Sequence, residues 1–174
     1  MSLVAGDFNE DGKLDLATCA ASLLLGNGAG SFTAGPDFPP GIYPRVVATG
    51  GLDGDGHLDL AIAKDGTDGV TVLLGDGQGG FAARPMAVVG KYPFALVIAD
   101  LNGDAIPDLL VSTTFNGGIG TNGVHLLLGL GGGRFGPEVP VFRIVDFPAS
   151  DTLRSALMTK SWGLAISAHI RWNF

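Results

Sequence analysis

The segment D-F-N-E-D-G-K-L-D, from Asp7 to Asp15, carries carboxylate or carboxamide oxygens at its first, third, fifth and ninth positions. Oxygen-bearing side chains on alternate residues of a tight turn can all point inward, which lets a short loop offer several hard donors to one Ca²⁺ ion. Gly12 stands at the sixth position, where such loops need a residue that tolerates a positive φ. The segment is therefore predicted to be a calcium-binding loop.

The same pattern occurs in two further places. Gly51 to Asp59 reads G-L-D-G-D-G-H-L-D, and Asp100 to Asp108 reads D-L-N-G-D-A-I-P-D. Self-similarity at a period of roughly 20 to 50 residues is the signature of repeat architectures, in which each repeat is one structural unit. We therefore expect three repeats, at about residues 1–42, 43–91 and 92–145.

Each of these loops offers oxygen ligands only. The predicted ligands are the side chains at positions one, three, five and nine and the backbone carbonyl at position seven. They are Asp7, Asn9, Asp11, Lys13 and Asp15 in the first loop, Asp53, Asp55, His57 and Asp59 in the second, and Asp100, Asn102, Asp104, Ile106 and Asp108 in the third. A single loop of this composition is explained equally well as a solvated turn. Three copies in register favour bound Ca²⁺.

The three loops are expected to bind the ion with different strength. The first has every ligand and keeps Gly12, so it should bind most tightly. The third has Ala105 at the turn position, and an alanine at positive φ costs about 1 kcal/mol. The second has Gly51 where the first acidic side chain belongs, so it should bind most weakly.

Short apolar segments between the loops predict strands and no helix. The predicted strands are 45–49, 58–63, 70–74 and 86–89 in the second repeat, and 94–99, 109–113, 124–128 and 139–145 in the third. Four short strands in each repeat, separated by glycine-rich turns, are typical of a propeller blade. The expected fold is all-β, a β-propeller of four-stranded blades with three recognisable repeats and a degenerate fourth at 146–174.

A second motif alternates with the loops. It reads G-N-G-A-G-S-F up to Phe32, G-D-G-Q-G-G-F up to Phe81 and G-L-G-G-G-R-F up to Phe135. The middle copy contains G-x-G-x-x-G, but a dinucleotide site also needs a helix directly after the glycines. Strands are predicted on both sides, so we interpret the motif as a hairpin turn, with the phenylalanines buried against a neighbouring blade.

Together, the D-x-[DN]-x-D-G-x-x-D loops and the L-L-G-x-G-x-G-x-F turns resemble the FG-GAP or VCBS repeats of integrin α-subunit propellers and of many bacterial surface and secreted proteins. The resemblance covers Leu3 to about Val145. It implies four-stranded blades, a Ca²⁺ ion in the loop between the first two strands, and a role in adhesion or ligand recognition. It also implies an extracellular or cell-surface location.

Two other kinds of calcium loop fit less well. An EF-hand needs a glutamate at position twelve and flanking helices, whereas Thr18, Ile62 and Val111 stand at that position here. The calcium repeats of RTX proteins recur every nine residues or so, and these loops do not.

Composition limits the classes of partner. The net charge is −7, which argues against nucleic acid, and most of the acidic residues lie inside the three loops, where they serve as candidate ligands. No apolar run approaches the roughly 20 residues of a transmembrane helix, so membrane insertion is not expected. Cys19 is the one cysteine and is interpreted as a small buried residue.

The two ends of the chain depart from the repeat pattern. No signal peptide is recognisable, and the sequence begins almost directly in a loop, so we expect a fragment of a longer protein. A fourth loop is due at Asp146, but Pro148, Ser150 and Arg154 replace its ligands, and we hypothesise that the Arg154 guanidinium takes the place of the cation. Ser161 to Phe174 alternates apolar and polar residues, which predicts one amphipathic strand.

The predicted function is recognition and not catalysis. His57, His125 and His169 are scattered, and none is near a serine or cysteine in a nucleophile motif. We expect a non-enzymatic, calcium-binding propeller segment that binds an extracellular protein or glycan. Three alternatives remain open. They are an accessory domain of a polysaccharide-acting enzyme, a structural spacer, and a pair of glycosidase-type carboxylates. Open sheet edges also predict edge-to-edge self-association.

Overall fold

The structure is a computed structural model of the 174-residue chain. It describes residues 2–20, 22–38, 43–65, 69–85, 87–89, 92–113 and 122–144. The expected fourth repeat at 146–174, including the Arg154 hypothesis and the amphipathic strand, lies outside these residues.

The described residues form fifteen strands and no helix. The strands are β1 (Leu3–Gly6), β2 (Asp15–Thr18), β3 (Leu23–Gly26), β4 (Phe32–Ala34), β5 (Pro44–Gly50), β6 (Asp59–Lys64), β7 (Gly69–Gly75), β8 (Phe81–Ala83), β9 (Ala87–Val88), β10 (Pro93–Ala99), β11 (Asp108–Thr113), β12 (Asn122–Leu127), β13 (Gly129–Gly131), β14 (Arg134–Phe135) and β15 (Val139–Ile144). Accordingly, no helix in the described part of the chain is long and apolar enough to cross a membrane.

Each repeat folds into one antiparallel sheet whose strands follow chain order. The first sheet has the order β1-β2-β3-β4, the second β5-β6-β7-β8 with β9 also paired to β7, and the third β10-β11-β12-β15. In each sheet a candidate loop joins the first strand to the second, and the glycine-rich turn comes later in the same repeat. The all-β class and the four-stranded order of each repeat are thereby confirmed.

The second sheet is buried on both faces. Every residue of β6 is buried, and so is every residue of β7 except its last glycine. Leu60 and Ile62 pack into a cluster shared with the first repeat, whereas Ala61 and Ala63 pack into a cluster shared with the third. Two covered faces explain why these strands read as continuous apolar runs, without the alternation of a half-exposed strand.

The two core clusters connect successive repeats. One joins Phe8, Ala17 and Leu23 of the first repeat to the second sheet. The other joins Leu96, Leu109, Val111 and Leu127 of the third repeat to the opposite face of that sheet.

The first strand of the second sheet, β5, also contacts both β1 and β10. Cys19 is 2% exposed within the first of these clusters, as its sequence context predicts.

One strand prediction needs correction, and one predicted hairpin turn forms a ladder of its own. The fourth strand of the second repeat was expected at 86–89, but Phe81–Ala83 pairs with the Leu73–Gly75 end of β7, and Ala87–Val88 pairs with its Gly69–Val70 end. In the third repeat the turn forms its own small ladder between β13 and β14. Both features involve strands of two or three residues. Strands this short are recognised by their hydrogen-bonded partners, because they have too few residues to show a hydrophobic pattern.

Replacing Leu109 by alanine tests the core between the second and third repeats. Leu109 is fully buried, so the substitution should lower the free energy of unfolding by about 2 to 5 kcal/mol in urea denaturation. The matched change Leu130→Ala, at a leucine that is 58% exposed, should change it by less than about 0.5 kcal/mol. Equal losses in the two variants would contradict this packing.

Candidate functional site

The first loop holds its polar side chains inward through hydrogen bonds to its own backbone. The Asp7 carboxylate accepts the N–H groups of Asp11 at 3.1 Å and Gly12 at 2.8 Å, and Asn9 Oδ1 accepts the Asp11 N–H at 3.2 Å. Asp11 Oδ1 accepts the Lys13 N–H at 3.0 Å. The side chains at positions one, three and five are therefore turned toward the same backbone turn.

Lys13 also neutralises part of this loop. Its Nζ lies 3.1 Å from Asp11 Oδ2, and this hydrogen bond lowers the pKa of Asp11 below its ordinary value. The ion pair is exposed, so its contribution to stability is small. A cation bound at Asp11 would have to compete with the lysine for that oxygen.

The third loop repeats the arrangement of the first. Asp100 accepts the N–H groups of Gly103, Asp104 and Ala105 at 2.7 to 3.2 Å. The bonds from Ala105 and Gly103 are the main reason that the pKa of Asp100 is lowered. Asn102 accepts the Asp104 N–H at 3.0 Å, and Asp104 accepts the Ile106 N–H at 2.8 Å.

Backbone strain in the third loop lies where the sequence predicts it. Ala105 has a φ of 65°, whereas Gly12 and Gly56 hold the corresponding positions at 80° and 97°. A positive φ also occurs at the fourth position of every loop, which the sequence pattern does not predict. Gly54 and Gly103 occupy it in two loops, but Glu10 does so in the first, with a φ of 56°.

The second loop has a smaller network, as the missing first carboxylate predicts. Asp53 accepts the Asp55 N–H at 3.1 Å, and Asp55 accepts the His57 N–H at 2.8 Å. The His57 ring reaches the first loop, where its Nδ1 lies 2.5 Å from Glu10 Oε1. This bond raises the pKa of His57 above its ordinary value. No motif in the sequence signals this link between loops.

The ninth-position aspartates have a different environment from the other predicted ligands. Asp15, Asp59 and Asp108 are all 0% exposed, and each begins the second strand of its sheet. In each, one carboxylate oxygen accepts the N–H of the second loop residue and the other accepts the N–H of the first turn glycine. The donors are Phe8 and Gly26 for Asp15, Leu52 and Gly75 for Asp59, and Leu101 and Gly129 for Asp108, at 2.5 to 3.0 Å.

These bonds connect the candidate loop to the glycine-rich turn of the same repeat. The turn glycines lie so close to the backbone that a Cβ at Gly26 would be 2.0 Å from the Leu14 carbonyl oxygen, and one at Gly75 would be 2.3 Å from that of Leu58. Close approach thus explains the glycine at this position. Burial raises the pKa of Asp59, an effect that the two N–H bonds partly offset.

The donor chemistry of the loops fits a hard cation. Positions one, three and five present carboxylate and carboxamide oxygens, which suit Ca²⁺ and not Zn²⁺. In the described part of the chain, no three Asp, Glu, His or Cys side chains are grouped closely enough to hold a metal ion. Both oxygens of each ninth-position aspartate already accept an N–H, although each oxygen has a second lone pair. Metal ligation by the fourteen residues therefore stays a prediction.

A second buried polar cluster lies in the third sheet. His125 is 1% exposed, with Nε2 2.8 Å from Thr113 Oγ1 and Nδ1 2.5 Å from Glu138 Oε1. The contacts run from threonine through histidine to glutamate, with threonine where hydrolase triads of this order have serine or cysteine. Thr113 is itself only 3% exposed, so its hydroxyl is shielded from solvent. The arrangement joins β11, β12 and the residue before β15.

Replacing Asp15 by alanine should lower the free energy of unfolding by about 2 to 5 kcal/mol, because two buried N–H groups lose their acceptor. Urea denaturation in excess chelator measures this without any contribution from bound metal. Asp15→Asn keeps one acceptor oxygen and should lose less. Asp37→Ala is the control, since Asp37 is exposed and outside the loops. A variant as stable as the wild type would contradict the assigned role of Asp15.

Ala105→Gly should stabilise the protein, because glycine adopts a φ of 65° without a Cβ penalty. The expected gain is about 0.5 to 1 kcal/mol, measured by thermal denaturation in chelator. Ala29→Gly is the matched control at an exposed turn residue that is not among those with positive φ, and it should destabilise slightly. A loss of stability in Ala105→Gly would show that the turn is not strained.

Comparison with known proteins finds a similarity for the middle of the chain. No curated protein matches the sequence. Residues 51–111 match the family model described as an FG-GAP-like repeat. The matched residues begin with the second loop and extend through the second sheet and the third loop into β11. This part of the chain is therefore similar to an FG-GAP-like repeat.

Proposed function

We propose that this chain is a non-enzymatic, calcium-binding β-propeller segment that recognises an extracellular protein or glycan. The three sheets serve as successive blades, and the loops between their first two strands bind Ca²⁺. An FG-GAP-like repeat at residues 51–111 supports the blade assignment. The integrin-like and VCBS-like character of the chain belongs to this proposal, as does its location at a cell surface or outside the cell.

The observation that carries the calcium proposal is the shared geometry of the first and third loops. In both, the side chains at positions one, three and five accept N–H groups of one backbone turn. The turn itself thus orients oxygen atoms that lie far apart along an extended chain. Such ordering before binding reduces the entropy that a cation must overcome.

The residues that would hold the ion follow from this geometry. In the first loop they are Asp7, Asn9 and Asp11 with the Lys13 carbonyl, and in the third Asp100, Asn102 and Asp104 with the Ile106 carbonyl. Bound Ca²⁺ would supply positive charge among carboxylates that otherwise repel one another. The second loop has only Asp53 and Asp55 among the corresponding side chains and is proposed as the weakest site. The ninth-position aspartates, which are also predicted ligands, hold the second residue of each loop by accepting its backbone N–H.

Calcium should raise the melting temperature of the wild-type chain, because an ion that binds only the folded state stabilises it by mass action. Asp7→Asn removes one negatively charged ligand from the first loop and should reduce the calcium-dependent rise. Asn keeps one of the two oxygens that accept the Asp11 and Gly12 N–H groups, so the melting temperature in chelator should fall only slightly at this exposed site. Asp37→Asn, which makes the same change at an exposed residue outside the loops, should behave as the wild type. Titration calorimetry gives the number of ions bound. No heat and no change in melting temperature would overturn the calcium proposal.

Recognition is tested separately by screening the calcium-loaded chain against glycan and protein arrays. Binding that is lost in chelator is the expected result. If the chain binds calcium but no ligand in either array, the role is that of a structural spacer.

A further inference from the structure

Successive repeats are joined by one recurring backbone contact. The Gly79 N–H, in the turn of the second repeat, donates to the Phe8 carbonyl at 2.9 Å. The Gly133 N–H, in the turn of the third repeat, donates to the Leu52 carbonyl at 3.3 Å. Gly79 and Gly133 hold the same position in their turns, and Phe8 and Leu52 are both the second residue of a loop. Each repeat therefore receives the turn of the next repeat against its loop.

Side-chain packing accompanies this contact. Phe8 is 3% exposed and Leu52 is 1% exposed. The Phe8 ring meets the Phe81 ring of the next repeat edge to face, with ring centroids 5.9 Å apart. The turn glycines fit tightly, since a Cβ at Gly133 would lie 2.8 Å from Leu74 Cδ2. The contact thus combines an apolar anchor from the loop with a close-fitting turn.

Among the described residues, each half of this contact also occurs once without the other half. The loop half is at Leu101 in the third repeat, and the turn half is at Gly30 in the first repeat. Leu101 is the second residue of the third loop and is 50% exposed. Gly30 is the corresponding turn glycine of the first repeat, and a Cβ there would meet nothing within 4 Å. Phe32, which corresponds to Phe81, is 44% exposed, and every residue of β4 is exposed.

An open cleft lies beside Gly30, and some of its lining residues correspond to those that receive Phe8 in the second repeat. It measures about 380 Å³ and is lined in part by Leu14, Gly30 and Phe32. In the second repeat the residue that corresponds to Leu14 is Leu58, which packs with Phe8 and Phe81 in the core. Leu14 is instead 66% exposed. The cleft is therefore the unfilled counterpart of the site that Phe8 fills one repeat later.

We infer that two copies of this chain associate head to tail, with Leu101 of one copy entering the Leu14–Gly30–Phe32 cleft of the other. The Gly30 N–H of the receiving copy would then donate to the Leu101 carbonyl, as Gly79 does to Phe8. The contact joins two different surfaces, so it is heterologous and can close a ring. The described repeats of two copies number six, which lies within the range of about four to eight blades in closed propellers.

Light scattering coupled to size-exclusion chromatography of the full chain tests this inference. The wild type should elute with twice the chain mass at micromolar concentration. Leu101→Glu should elute with the single mass. Lys13, the cation that lines the cleft, is already paired with Asp11, so a carboxylate that enters beside Leu14 and Phe32 would be desolvated without a free cation. Leu130→Glu places the same charge on a leucine of similar exposure in the turn of the third repeat and should still dimerise.

A second variant acts on the receiving surface. Gly30→Ala should weaken dimerisation, and its control is Gly132→Ala, which also has positive φ and open space but lies outside the proposed contact. A mixture of Leu101→Glu and Gly30→Ala should form a mixed dimer, because the intact cleft of the first variant can receive the intact Leu101 of the second. Circular dichroism melting establishes that each variant is folded.

Three outcomes would overturn the inference. The first is a wild type that stays at single mass at every concentration, as expected if residues 145–174 of the same chain cover Leu101. The second is a Leu101→Glu variant that is folded and still dimeric. The third is a mixture of the two variants that stays at single mass, since that would exclude a contact between two different surfaces.

Discussion

The structure depends most on a buried carboxylate that accepts two backbone N–H groups from different parts of one repeat. Asp15, Asp59 and Asp108 do this in the three repeats with the same donors by position. An unpaired N–H in a buried site costs roughly 1 to 3 kcal/mol, so one side chain fixes both a loop and a turn. The positions of the loop and of the turn in each repeat therefore depend on these two hydrogen bonds.

The connection has consequences between repeats as well as within them. By holding the second loop residue, the aspartate fixes the carbonyl and side chain that the next repeat contacts, as Phe8 and Leu52 illustrate. By holding the first turn glycine, it fixes the turn that the preceding repeat contacts. The side chains proposed to bind calcium belong to the same loops. Metal binding and repeat packing would therefore stabilise one element from two sides.

The sequence predicted the all-β class and most strand positions of the second and third repeats, because β-branched and apolar segments alternate with loops whose turn residues are recognisable. Spacing also predicts Asp15, Asp59 and Asp108 as metal ligands, and this stays a prediction. Spacing does not show that each of these carboxylates accepts two backbone N–H groups, although the apolar residues after each aspartate were a sign of burial. The Glu10–His57 bond was missed because its two residues lie 47 positions apart in the sequence. The Phe81–Ala83 strand was missed because three residues are too few to show a hydrophobic pattern.

The most direct test of this account is amide hydrogen exchange of the chain in excess chelator, followed by NMR. The N–H groups of Phe8, Gly26, Leu52, Gly75, Leu101 and Gly129 should exchange as slowly as those in the centres of β6 and β7, since buried aspartates hold them without metal. Rapid exchange of these six amides in chelator, with protection appearing only when Ca²⁺ is added, would contradict the account and make the metal the primary constraint.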